Sequence, residues 1–205
     1  MARRKKLNKE EQNIFFSSNS KIAKQQLEKP IVGIDIGTFL TGFYSKTLDA
    51  VTIQGGKKLS LIERISAIKT ELFVLLSKLE HSPVVFIEDY AWGKNNASIT
   101  QLAELGGNIK LLLFESGIYY MCVAPSTLKK FVLGPKRGVL GEGHKAVTMV
   151  TVLDRWGKKF SDDNACDAYC LYRFGRALKA FIKNPNSAEK WEAEMFREFV
   201  IHRAA

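Results

Sequence analysis

Three carboxylates stand where carboxylates are costly. Asp35 interrupts the apolar run Ile31-Val32-Gly33-Ile34-Asp35-Ile36-Gly37-Thr38, Glu88 closes Val84-Val85-Phe86-Ile87, and Asp167 lies in Asp163-Asn164-Ala165-Cys166-Asp167-Ala168. An unpaired carboxylate beside apolar elements loses hydration, so each of these positions asks for a partner. Hard oxygen donors gathered from two strand ends and one helix suit Mg²⁺ or Mn²⁺. On a phosphodiester such a site can hold two ions, one activating a water and one steadying the leaving oxygen. Within a helix, Asp163 (four residues back) and Asn164 (three back) share the face of Asp167 and join the candidate metal ligands. The small residues around Asp35 leave room for an ion or a phosphate. Each member also has a plainer reading: Asp35 as a turn or cap, Glu88 and Asp89 as a solvated strand end, Asp162 and Asp163 as helix N-caps.

Those side chains need elements to carry them. Ile31–Ile36 is apolar, β-branched and glycine-bounded, as a buried strand is; Thr41–Ser45 and Val51–Gln54 follow as shorter strands, and the three suggest a meander. Leu59–Glu80 has apolar residues at helical spacing with charges opposite, an amphipathic helix. Val84–Ile87 reads as a buried strand with Glu88 emerging at its end. Ala97–Glu115 is helical despite Gly106-Gly107, whose cost of ~1 kcal/mol each suggests close approach to something. Tyr119–Val123 is a strand, and Pro125 opens a helix to about Leu133. The Gly134–Gly143 segment, with four glycines, Lys136 and Arg137, reads as a mobile basic loop. His144–Trp156 and Asp162–Phe181 are helices, and Asn186 with Glu189 predicts a capping box for a last helix striped by Trp191, Met195 and Phe199. The order predicts an α/β fold: a mixed sheet covered by helices with functional groups at strand ends. We divide the chain into a basic N-terminal tail (1–30), a catalytic domain (31–182) and a C-terminal helix (183–205).

Composition narrows the partners. The 205 residues carry 31 Lys+Arg against 21 Asp+Glu, a net +10 that favours polyanions and above all nucleic acid. Half of that excess lies in the tail, where eight basic and three acidic residues precede Ile31. A purely solubilising or targeting arm is the alternative there. No stretch approaches the ~20 apolar residues of a membrane span, so the chain reads as soluble, unsecreted and free of membrane contact. Three cysteines at unrelated spacings (Cys122, Cys166, Cys170), with no second Cys/His cluster for zinc, point to a reducing, cytoplasmic setting.

Taken in order and spacing, Gly33-Ile34-Asp35-Ile36-Gly37-Thr38 with Thr41-Gly42, Phe86-Ile87-Glu88-Asp89, Val123-Ala124-Pro125-Ser126-Thr127-Leu128-Lys129-Lys130-Phe131 and Asp163-Asn164-Ala165-Cys166-Asp167-Ala168 resemble the RuvC-type Holliday-junction resolvases of the RNase H-like superfamily. Trp92-Gly93-Lys94-Asn95, Trp156-Gly157 and Phe160 look closest to the phage-borne branch. The resemblance implies an RNase H-like fold, a homodimer, and Mg²⁺-dependent nicking of opposed strands of a four-way DNA junction. It carries the catalytic roles to Asp35, Glu88 and Asp167. The family's fourth ligand, usually aspartate or histidine, falls on Asn164, so either that amide oxygen or the neighbouring Asp163 takes the role. The family's aromatic wedge falls on Ala91, between Tyr90 and Trp92, whose rings are the candidates for stacking on opened bases. Lys94, Lys129, Lys130, Lys136, Arg137, His144 and Lys145 would supply the phosphate-binding surface, Lys145 foremost. Gly106-Gly107 would mark the dimer seam. Two rival readings remain: a junction-binding protein without cleavage, suggested by Asn164, and a fragment of a sugar-kinase or Hsp70-like ATPase, whose phosphate loop Gly33–Thr38 also resembles.

Overall fold

Alternation of side chains along each strand explains how the chain builds its two layers. The computed structural model describes residues 21, 24–89, 97–135 and 144–203, with side chains over 98–135 and 146–200 in the last two segments. Five strands, β1 (Ile31–Asp35), β2 (Leu40–Ser45), β3 (Asp49–Gln54), β4 (Val84–Glu88) and β5 (Tyr119–Val123), form one sheet in the order β3-β2-β1-β4-β5. The predicted meander is present as antiparallel β1-β2-β3 pairing, while β4 joins β1 and β5 joins β4 in parallel. Asp49 takes a left-handed backbone (φ 59°) at the β2–β3 turn, a conformation that aspartate tolerates better than most residues.

Val32, Ile34, Val85 and Ile87 face one side of the sheet, where α1 (Leu61–Ser77) and α2 (Ala97–Glu115) cover them with Ile68, Leu72, Leu105 and Ile109. Ser60 starts α1 through a reciprocal capping box with Glu63, so the helix begins two residues later than hydropathy alone suggests. Alternate residues, Ile31, Val84 and Phe86, face the other side, where α5 (Asp163–Lys183) crosses β1 and β2 and packs with α3 (Pro125–Leu133) and α4 (His144–Trp156). A last helix, α6 (Lys190–Arg203), adds Met195, Phe196, Phe199 and Val200 to this second core, against Phe131, Phe174 and Phe181.

The start of α6 differs from expectation. Asn186 lies in a 3₁₀ turn (Pro185–Ser187) capped by Asn184, and α6 begins after Glu189, whose carbonyl accepts from Ala193 N at 2.8 Å. Glu192 rather than Glu189 returns a carboxylate to the cap backbone, at 3.3 Å. Pro185 favours the separate turn, because its ring pre-sets φ for a helical start and shifts the cap downstream. Among the described residues no helix is long and apolar enough to cross a membrane.

Candidate active site

The same alternation that buries Ile31, Gly33 and Phe86 under α5 sends Asp35 and Glu88 to that side too. Because Ile34 pairs with Ile87 in the parallel β1–β4 register, Asp35 and Glu88 follow as neighbours at the carboxyl edge of the sheet. Glu88 is the last residue of β4, paired with Val123, rather than a residue beyond it. Its neighbour Asp89 separates from it, pairing with Lys110 of α2 at 3.9 Å. The solvated-strand-end reading therefore fails for Glu88, which is largely buried and hydrogen-bonded to Asp35.

Asp167 reaches the same place from the second turn of α5. Burial first, and the charge of Asp167 second, push the Glu88 carboxyl up to about 7, against a partial opposing pull from Lys129 and the hydrogen bond to Asp35. A cavity of about 350 Å³ lies here, lined by Glu88, Asp167, Lys129, Thr148 and Cys170 among others. Lys129 thus stands in the cavity wall, whereas Lys130 does not, its carbonyl instead receiving Gly134 N at 2.9 Å. Cys122, Cys166 and Cys170 are free thiols, and Cys170, hydrogen-bonded to Cys166 and buried, is held well above the usual thiol range, hence unreactive.

Glycines set how near α5 comes. A Cβ on Gly33 would lie 2.0 Å from the Ala168 carbonyl oxygen, and one on Gly42 would lie 2.0 Å from that of Asn164. A Cβ on Gly37 would meet the Leu40 oxygen at 2.3 Å. Gly33 and Gly42 therefore make room for a helix backbone, and Gly37 for a tight turn. That corrects the expectation that these glycines leave open space for a ligand.

Asp162, outside the predicted catalytic set, anchors the helix start. It accepts from Asn164 N at 3.3 Å and Ala165 N at 3.2 Å, and the Thr52 hydroxyl of β3 donates to it. The Asn164 amide nitrogen donates to Asp162 at 3.0 Å and to Asp163 at 3.4 Å. Held this way, the Asn164 Oδ1 sits beside the turn that follows Asp35, 3.7 Å from the Cβ position of Gly37. Asp163 is the first residue of α5 and half-buried. On the far side of that turn, Phe39 is exposed and rests on the buried Arg64 guanidinium, 4.3 Å from its ring centroid. Sequence patterning overlooked Thr52, although the Asp162 cap was legible from its place before a helix. Of the nucleic-acid candidates, Tyr90, Trp92, Lys94, Lys136 and Arg137 lie outside the described residues, and His144 and Lys145 open α4.

These donors suit a hard divalent cation. Among the described residues no three acidic, histidine or cysteine side chains are drawn together as a finished metal cluster. Asp35, Glu88, Asp167 and the Asn164 oxygen nevertheless offer carboxylate and amide oxygens, and a cation would relieve the cost that burial and the charge of Asp167 place on the Glu88 carboxylate.

The raised Glu88 carboxyl makes a stability prediction. Its folded value of about 7 exceeds the ordinary 4.5, so the folded state binds more protons across that window. Folding stability in EDTA therefore falls as pH rises from about 4.5 to 7, and the full cost, on the order of 3 kcal/mol, persists above it. Glu88→Gln is expected to melt several degrees above wild type at pH 8, with the gap closing towards pH 5. Parallel melting curves at both pH values would refute this.

Comparison with known proteins agrees with the geometry. A family model described as crossover junction endodeoxyribonuclease RuvC matches residues 31–172. No curated protein matches the sequence significantly. The fold is similar to that of the T. thermophilus RuvC in complex with Holliday junction substrate, at 15% identity over 78% of this chain and 98% of that one, with a TM-score of 0.58. It is likewise similar to a second Thermus thermophilus RuvC structure, at 14% identity over 76% and 96% of the two chains, with a TM-score of 0.57.

Proposed function

Because the chain belongs to the RuvC family of crossover junction endodeoxyribonucleases, we propose that its Asp35, Glu88 and Asp167 form the centre that hydrolyses opposed strands of a four-way DNA junction. The observation that carries this assignment is that carboxylates from β1, β4 and α5 meet: Asp35 is hydrogen-bonded to Glu88, and Glu88 and Asp167 line one cavity. Two Mg²⁺ or Mn²⁺ ions, held by Asp35, Glu88, Asp167 and the Asn164 oxygen, would supply a Lewis acid for the phosphate and a more acidic water. Water adds to phosphorus, the bond to one bridging oxygen breaks, and that oxygen leaves with a proton. Lys129 offers a cation beside Glu88 for a phosphate oxygen, and the apolar wall of Leu128 and Val132 limits competing water. Incubation with a labelled four-way junction, with and without Mg²⁺ or Mn²⁺, is expected to give metal-dependent paired nicks; a shift without cleavage would favour the binding-only reading.

Asn164 is the fourth donor in this reading and Asp163 the rim residue. Asn164→Asp is expected to keep or raise the nicking rate, and Asp163→Ala to cost less than Asp167→Ala. Should Asp163→Ala be as inactive as Asp167→Ala while Asn164→Ala nicks normally, the two roles are exchanged.

A homodimer suits a two-fold substrate. On α2, a Cβ at Gly107 would meet open space, and Leu111 (47% exposed) and Phe114 (77% exposed) continue the same helical face. That apolar stripe is the seam we assign. Light scattering at micromolar concentration is expected to give a dimer, and Phe114→Glu a monomer; a wild-type monomer that makes paired nicks would refute it. A reducing cytoplasm fits the free thiols.

A further inference from the structure

A second cationic surface lies on the side of α5 turned away from Asp167. Arg176 follows Asp167 by nine residues, about two and a half helical turns, which sets it on the opposite face. Two adjoining cavities of about 560 and 550 Å³ share Lys46, Tyr172, Arg176 and Ala180 in their walls. The second also holds Arg155, Arg173 and Trp156.

The acids on this surface are already matched. Asp49 pairs with Lys158 at 2.6 Å, Glu28 with Lys183 at 3.0 Å and Lys179 at 3.6 Å, and Glu192 with Arg155 at 3.9 Å. Among the described residues no acid lies within ion-pair distance of Lys46, Arg173 or Arg176. The two arginines are also held in place. Arg173 stacks 4.6 Å from the Trp156 ring centroid and donates to the Tyr169 hydroxyl at 3.2 Å, and Arg176 donates to the Tyr172 hydroxyl at 2.9 Å. Beneath them, Tyr44 packs on both tyrosines with ring centroids 4.8 Å apart. A guanidinium carries five N–H donors, so one bond to a tyrosine orients the group and leaves others for a ligand. Fixed guanidinium planes without a counter-charge match phosphate oxygens.

We infer that Lys46, Arg173 and Arg176 form a phosphate-backbone contact for a duplex arm of the DNA, separate from the site that cuts it. The inference rests on the nuclease reading above. The chain's own preceding segment is excluded as occupant by charge, since Met1–Pro30 carries a net +5 and enters beside this surface at Glu28. Contacts of this kind raise affinity and salt dependence without reading sequence.

The test uses full-length protein in EDTA, with fluorescence anisotropy of a labelled four-way junction across a salt series. Lys46→Gln, Arg173→Gln and Arg176→Gln combined are expected to flatten the slope of log affinity against log salt by roughly two to three and to weaken binding roughly tenfold or more. Thermal melting checks the fold, and nick positions at saturating protein with metal are expected to match wild type. A control triple, Lys57→Gln, Lys58→Gln and Lys78→Gln, removes equal charge from exposed sites near α1 and is expected to change the slope far less. Equal effects of the two triples, or no effect of the first, would overturn the inference. Wild type that neither binds nor cuts the junction would end the nuclease reading and this one together; wild type that does both beside an unaltered first triple would end this one alone.

Discussion

Asp167→Asn is expected to slow junction nicking roughly a thousandfold while junction affinity stays within about threefold of wild type. The substitution keeps shape and removes one negative charge from a cavity where burial and the charge of Asp167 already push the Glu88 carboxyl up to about 7. Losing one ligand's share of several kcal/mol of transition-state charge stabilisation, about 4 kcal/mol, corresponds to that rate factor. Affinity has no reason to fall, because phosphate binding depends on cations, and one carboxylate fewer means less repulsion of the backbone. Asp35→Asn is expected to behave in the same way, since Asp35 shares a hydrogen bond with Glu88. Single-turnover nicking and anisotropy on the same preparations separate the two quantities. Asp167→Asn that nicks at the wild-type rate would remove α5 from the catalytic centre.

Gly33→Ala is expected to destabilise the fold by about 3 kcal/mol or more, beyond the usual range for one added methyl, because the obstruction is backbone. Its Cβ would lie 2.0 Å from Ala168 O and 2.7 Å from Tyr172 N, so α5 itself must move. Flexible side chains cannot absorb that displacement. Ala168 adjoins Asp167, so nicking by the folded fraction is expected to fall as well. Gly107→Ala in the Phe114→Glu background, where no second copy covers the seam, provides the contrast: in a helix, with nothing within 4 Å of its Cβ, it is expected to stabilise by up to about 1 kcal/mol. Calorimetric melting of both variants tests the pair, and equal melting temperatures would show that α5 does not press on β1 as described.

The order of the elements, and the carboxylates standing at their ends, were readable along the chain. Ile31–Asp35, Val84–Glu88 and the helix carrying Asp167 were legible because apolar periodicity, proline and cap residues act within a few positions of one another. Continuous apolar, β-branched runs placed Asp35 and Glu88 on strands, and a helical pattern placed Asp167 near Asn164. Which way those faces look is set by long-range packing. Gly33 read locally as room for a ligand, but that space is taken by a helix more than a hundred residues away. Asp162 read as an ordinary cap until Thr52, 110 residues distant, proved to hold it. Lys46, Arg173 and Arg176 carry no common spacing and share a surface only because α5 crosses β2. Short-range rules of propensity and capping are written in neighbouring residues, whereas burial, charge crowding and the raised carboxyl of Glu88 arise from contacts that exist only once the chain has closed on itself.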